Sequence, residues 1–301
     1  MLPKMPSSGG APGFLFVPPL RVQGYSIAGE QTVIQIPELD VCFDIGTCPR
    51  FALSSPFIAV SHGHMDHVGG LPYYLSQRMF QKMGVGTIVC HPDLAGPITA
   101  MMESWQGLER QKTPFHVVPL ASDAELKIKP DITLRAIEVA HTGPSLGYSI
   151  LEYRSKLRPE FHEQPQERLR DLKKQGVDIT QTLQIPLVAF TGDTQLAPAL
   201  YRDEFAKARV MISECTFFDP EHRERAALGK HLHIDDIVQL LEVWRAETVI
   251  LTHLSRRTNL AQVHEILRAR LSESDRDRVH LLMDHRSNRA RYERQGGSTG
   301  R

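Results

Sequence analysis

No two of the four cysteines, Cys42, Cys48, Cys90 and Cys215, are spaced Cys-x-x-Cys. The absence of that spacing argues against a zinc finger or a disulfide scaffold and favours a reducing compartment, the cytoplasm being the simplest choice with an organelle as the alternative. No stretch approaches the roughly 18–20 uninterrupted apolar residues of a membrane-spanning helix. The opening "MLPKMPSSGGAPGF" lacks a basic segment followed by an apolar one, so no secretory signal is expected. Net charge is missing too. The 35 basic residues balance 35 acidic ones, so the chain as a whole has no electrostatic footprint for nucleic acid, and only a local basic face could supply one. There is no internal repeat and no low-complexity linker.

With 41% hydrophobic residues in 301, the chain can build one large core or two small ones. Residues 1–13 are rich in Pro, Gly and Ser and read as a disordered lead. Residues 285–301, "HRSNRARYERQGGSTGR", hold five arginines against one glutamate with no apolar period, and read as a basic, mostly unordered tail. Residues 14–284 remain as the folded domain. Within it, short apolar runs alternate with helical patterns. "TVIQI", "VCFDIG", "FIAV", "GTIVC", "LRAIEV", "GYSILEY", "LVAFT", "RVMIS" and "TVILT" are β-rich. Helices are expected over 71–83, 92–105, 234–245 and 259–271; Ile234, Ile237, Leu241 and Trp244 recur at helical spacing. The pattern is α/β, with helices covering sheets. The segment 154–181 is charged, partly helical, and resembles an insertion.

One stretch carries chemistry. "AVSHGHMDHVGG", residues 59–70, places His62, His64, Asp66 and His67 within six positions, after an apolar run and before a glycine pair. Imidazole and carboxylate are the donors that borderline divalent ions prefer. His62 and His64, two apart, can point the same way in an extended loop, and Asp66 and His67 can curl round a point in the turn that follows. One such cluster cannot close a two-metal site. Further donors stand where strands end: His141 in "IEVAHTG", Asp193 in "VAFTGDT" and His253 in "VILTHLS". These strand ends are expected to gather at one edge of the fold.

The series HxHxDH, then His, Asp and His, resembles the metallo-β-lactamase superfamily over roughly residues 30–260. The resemblance implies an αββα sandwich with metals at one edge. By the family pattern His62, His64 and His141 would hold one ion, Asp66, His67 and His253 a second, and Asp193 would bridge them. Zinc is the default for such donors, with manganese or iron as alternatives. A bridging carboxylate points to the binuclear hydrolases, in which paired ions clamp both oxygens of a displacement at phosphorus. Asp66 is placed to orient the attacking water and accept its proton.

The second half narrows the likeness. "SECTFF", "HLHIDDIVQLL" and "LTHLSRR" resemble the closing half of the tRNase Z (ribonuclease Z) family, and "HTGPSLGYSI" is also similar. That resemblance implies a glutamate–histidine pair, Glu214 and His231, with the histidine protonating the leaving group, and substrate contact near Ser145. His233 stands where that family often has threonine or serine. Arg256 and Arg257, just past His253, are candidates for binding phosphate. Arg168, Arg170, Lys173 and Lys174 read as a solvated helix face, and His91, His162, His222 and His264 as ordinary histidines. Two features depart from the family. Only 51 residues separate His141 from Asp193, too few for the long protruding arm of a typical member, and "FLFVPPLRVQGYSIAGE" replaces its glycine-rich N-terminal signature.

The expectation is a binuclear metal-dependent phosphodiester hydrolase, ribonuclease Z-like, acting on RNA such as the 3′ end of precursor tRNA. It is expected to be free of the membrane and to pair as a homodimer. The rivals are a thioesterase, lactonase or weak β-lactamase on the same site, and a non-catalytic binding protein. Glu214 and His231 favour phosphodiesters, because they supply an acid that a thiolate leaving group would not need.

Overall fold

The computed structural model describes residues 3 and 11–297. Two seven-stranded sheets face each other. The first runs β1 (Gly13–Val17), β2 (Leu20–Ile27), β3 (Gln31–Ile36), β4 (Val41–Phe43), β5 (Phe57–Ala59), β6 (Gly86–Cys90), β7 (Phe115–Pro119) in spatial order. The second holds β8 (Glu125–Lys129), β9 (Ile132–Glu138), β10 (Leu146–Leu157), β11 (Thr180–Phe190), β12 (Val210–Glu214), β13 (Thr248–Thr252) and β14 (Val279–Leu281), also side by side in chain order. In each sheet the first four strands pair antiparallel and the rest parallel. The parallel crossovers run through helices. These are α1 (Met65–Val68), α2 (Leu71–Phe80) and α3 (Pro92–Glu109) on the first sheet. Later helices are α4 (Gln166–Lys174), α5 (Asp203–Ala206), α6 (Arg223–Gly229), α7 (Ile234–Leu241), α8 (Leu260–Arg270), α9 (Glu273–Arg278) and α10 (His285–Gly297).

The central strands are buried on both faces, so their side chains alternate between two cores rather than between core and water. In β4, Val41 and Phe43 point between the sheets while Cys42 faces α2 and α3. In β12, Val210 and Ile212 point inward and Met211 packs against the helices outside, with Trp244 and Ile237. The Trp244 indole N–H donates to the Leu200 carbonyl at 2.8 Å, so this fully buried ring leaves no unpaired donor. The result is an αββα sandwich. No helix among the described residues is long and apolar enough to cross a membrane.

Three segments refine the sequence reading. The first sheet begins at Gly13; most of the expected N-terminal lead, residues 1–2 and 4–10, lies outside the described residues. The basic segment expected to be unordered is helical as α10, and residues 298–301 lie outside the described residues. The helix has no apolar period of its own but docks through particular contacts. Asn288 donates to the Leu281 and Leu282 carbonyls at 3.0 Å each, and Tyr292 packs its ring edge against Phe14. Finally, the 154–181 segment is a ribbon. Beyond Glu152, β10 pairs with β11 alone, and α4 closes the tip without burying a residue. Arg168, Arg170, Lys173 and Lys174 there are all exposed.

Candidate metal centre

The HxHxDH turn follows β5 and is fixed from below by the end of β4. The Ile45 N–H donates to the His67 carbonyl at 2.8 Å, and the Gly70 N–H donates to the Ile45 carbonyl at 2.7 Å. A Cβ on Gly46 would stand 1.9 Å from the Asp66 carbonyl oxygen, so only glycine fits there. His64 precedes α1, whose single turn carries Asp66 and His67 back toward His62. From the second sheet come three more groups, each just past a strand. His141 follows β9. Asp193 follows β11 through Gly192, whose φ of +59° and 2.8 Å approach to Ser61 again admit little but glycine. His253 follows β13, itself at φ +60°, with its N–H donating to Ser26 Oγ at 2.9 Å.

These strand ends converge. Asp193 Oδ2 lies 3.3 Å from His67 Nε2, 3.2 Å from His253 Nε2 and 3.8 Å from His62 Nε2. Asp66 Oδ2 lies 3.4 Å from His253 Nε2 and accepts from the Gly29 N–H at 2.8 Å. The donor atoms of His62, His64 and His141 lie within 4.8 Å of one another, as do those of Asp66, His67 and His253. His141 Nδ1 meets the Lys230 carbonyl at 3.0 Å, while its Nε2 is buried with no hydrogen-bond partner. Burial and neighbouring His67 push His62 down to about 2, leaving a neutral imidazole, the form that can ligate an ion. Burial opposes the charge on Asp193 and Asp66, but the surrounding histidines outweigh it and hold both carboxylates below their usual range.

Beside this group Glu214, at the end of β12, is almost fully buried. Its Oε1 meets His231 Nδ1 at 2.9 Å and accepts from the Thr194 N–H at 2.8 Å; its Oε2 accepts from the Thr216 hydroxyl at 2.8 Å. Burial pulls His231 down, but the charge and hydrogen bond of Glu214 lift it further, to about 9. The His231 ring stands 5.0 Å from that of His141 and 5.3 Å from that of His253.

Other sequence candidates fall elsewhere. His233 caps α7: its Nδ1 accepts from the Asp235 N–H at 3.2 Å, and Asp236 accepts from its own N–H at 2.9 Å. The imidazole thus does the capping work of a serine or threonine. Ser145 is buried and donates to the Gly143 carbonyl at 3.0 Å, its hydroxyl committed to its own turn. Arg256 pairs with Glu30 at 3.3 Å, and Arg257 lines a cavity next to the centre. The sequence reading passed over Asp44. Wholly buried, it meets His67 Nδ1 at 2.7 Å and accepts from the Ser61 N–H at 2.6 Å and the Ser61 hydroxyl at 2.8 Å. Its signal was present in "VCFDIG", an acidic residue at a strand end like Asp193. Thr216, 3.0 Å from His253 Nδ1, also went unread.

Fold and donor groups together define a metal-dependent hydrolase of the beta-lactamase superfamily, and residues 55–254 match the model of that superfamily's domain. The chain is 33% identical to tRNase Z TRZ1 of Arabidopsis thaliana, over 82% of its own length and 90% of the relative's. It is equally similar to the chloroplastic tRNase Z TRZ2 of the same plant, 33% over 81% and 70%. The short form of human tRNase Z shares the fold with a TM-score of 0.54 at 17% identity, covering 77% of this chain and 92% of that one. Within the superfamily, this chain belongs to the tRNase Z (ribonuclease Z) family.

Proposed function

We propose that the protein is a binuclear phosphodiester hydrolase that cleaves RNA, with the 3′ end of precursor tRNA as the substrate its named relatives suggest. The observation that carries this reading is the 2.9 Å pairing of Glu214 with His231 beside the histidine–aspartate cluster, a proton donor poised next to a metal site. The donors fit divalent ions. The buried, partnerless Nε2 of His141 is an orphan that an ion would satisfy, and an all-nitrogen-and-oxygen set suits zinc, with manganese or iron as alternatives. His62, His64 and His141 would hold one ion, Asp66, His67 and His253 a second, with Asp193 shared. Held there, such ions would supply polarisation of phosphoryl oxygens and a more acidic water.

The chain's own groups supply the remainder. Asp44 holds His67 through Nδ1 and so keeps its Nε2 facing the site. Thr216 does the same for His253. Asp66 orients the attacking water and takes its proton. His231, lifted by Glu214 and charged at neutral pH, gives a proton to the departing alcohol oxygen. Arg257, and Arg256 once it leaves Glu30, stand at the mouth for a backbone phosphate. Four free cysteines, three of them buried, suit a reducing compartment such as the cytoplasm. A homodimer is expected, and light scattering would test it.

The decisive assay sets a 3′-extended precursor tRNA beside bis(p-nitrophenyl) phosphate, a thioester and a β-lactam. Cleavage of the RNA and the phosphodiester is expected; preference for the thioester or lactam would overturn the reading. Asp66→Ala should keep its fold and lose hydrolysis of bis(p-nitrophenyl) phosphate, and undiminished turnover would remove the role assigned to Asp66.

A further inference from the structure

A cavity of about 210 Å³ opens beside the centre, between the loop after β12, α6 and the start of α8. Thr216 forms part of its wall, and the same hydroxyl touches His253, so the cavity and the site share a partition. The half-buried Phe217 ring faces the cavity, with its centroid 6.3 Å from that of His231 and 6.0 Å from that of His222. The Arg225 guanidinium rides over that ring at 5.9 Å from the centroid and makes no ion pair among the described residues. Arg257 lines the same space, also without a carboxylate partner there. The one acid on the wall, Asp219, already accepts from the Glu221 N–H at 2.9 Å.

An aromatic platform with unneutralised guanidinium groups is what a nucleotide needs: a face for the base and cations for its phosphate. Position supplies the polarity. His231 gives its proton to the departing oxygen, so the Phe217 ring, which stands beside the His231 ring, lies toward the half of the substrate that departs. We infer that this cavity seats the nucleoside on the leaving-group side of the scissile phosphate, with its base against Phe217 and its next phosphate at Arg225 and Arg257. A base arriving at the ring displaces Arg225 from it and frees the guanidinium to meet that phosphate. This subsite rests on the reading that the chain cleaves RNA.

The test first reads whether the trimmed RNA ends in a hydroxyl or a phosphate, which tells whether the nucleoside before or after the cut carries the departing oxygen, and then compares a 3′-extended precursor tRNA with the same RNA made abasic at that nucleoside. Loss of the base should lower kcat/KM of the unaltered protein by roughly 5- to 150-fold, the usual worth of one stacked base. Phe217→Leu should cost a similar factor on intact RNA and make the enzyme indifferent to the abasic change, because both remove one interaction. Independent, multiplying losses would overturn the subsite. Arg225 is exposed, so Arg225→Gln should fold normally; it should weaken RNA cleavage and flatten its dependence on salt by about 0.7 in logarithmic slope. An unchanged slope would remove the phosphate contact. If RNA is cut but base removal has no effect, the subsite falls and the RNA reading stands. If only small phosphodiesters are cut, both fall together.

Discussion

Asp44→Asn exchanges one oxygen of a fully buried carboxylate for an amide nitrogen, and the hydrogen bonds around it set the outcome. The retained oxygen keeps the Ser61 N–H at 2.6 Å. The amide then faces two groups that had donated to Oδ2, the Ser61 hydroxyl and His67 Nδ1. The Ser61 oxygen can accept from the new amide at the same place. His67 can only shift its proton, so that Nδ1 accepts from the new amide and Nε2 becomes the donor. In that tautomer Nε2 still meets Asp193 at 3.3 Å and Asp66 at 3.5 Å, but it has no lone pair for an ion. Losing a charge-assisted hydrogen bond costs about 1.5–3 kcal/mol. Removing a buried charge returns part of that, so the metal-free protein should lose only roughly 1–2 kcal/mol. Metal affinity should fall by about 10- to 100-fold, and with it the extra stability that bound metal confers. Chelator competition gives the affinity, and thermal unfolding with and without chelator gives the two stabilities. Metal affinity within about twofold of the original would refute the orienting role. A collapse of the metal-free protein would show that Asp44 serves folding instead.

Three further outcomes follow from the same geometry. His231→Ala should slow cleavage of RNA by roughly 10²- to 10⁴-fold, yet slow bis(p-nitrophenyl) phosphate far less, since p-nitrophenolate departs without a proton; equal losses on both substrates would eliminate the acid role. Gly46→Ala drives a methyl group into the Asp66 carbonyl oxygen, 1.9 Å away, and should cost about 1–3 kcal/mol in denaturant unfolding along with metal affinity; an unshifted midpoint would show that the turn yields freely. His280 is pushed down to about 4 by burial and by nearby Arg291 and Arg294, from 6.5 in the open chain. The unfolded chain therefore takes up this proton first, so the stability it represents is complete above pH 6.5 and lost as pH falls toward 4, at most about 3 kcal/mol. Unfolding of the parent and His280→Gln at pH 7 and pH 5 should show a steeper acid loss in the parent, and parallel losses would refute the assignment.

Why some of this was readable in the sequence and some was not has a physical basis. The interior strands declare themselves because both faces are buried: "VMISE" and "TVILT" are buried at every position and built round apolar runs, and a charged or imidazole group at the end of such a run stands out. His141, Asp193 and His253 were legible for that reason. Asp44 follows the same grammar in "VCFDIG" but bonds to protein atoms instead of offering free donors, so a search for ligands passes over it. The edge strands β7 and β8, "FHVVP" and "ELKIK", are half-exposed and dilute the apolar signal. The helix α10 has almost no amphipathic pattern; it is held by Asn288, which meets the end of β14 just before it, and by Tyr292, which meets Phe14 of β1 at the other end of the chain. His233 was given no role from the sequence. Its position two residues from His231 leaves its part open, and the start of α7 reveals it as a cap.

One strand links the solvent-exposed tip of the ribbon to the reacting edge. β11 leaves α4 at Thr180 and runs unbroken to Phe190, three residues short of Asp193. At about 3.3 Å per residue its eleven residues form a rod of roughly 36 Å. Whatever the tip touches is held a set span from Asp193, so lengthening or shortening this rod by a pair of residues would move the point of contact without altering a single group at the centre.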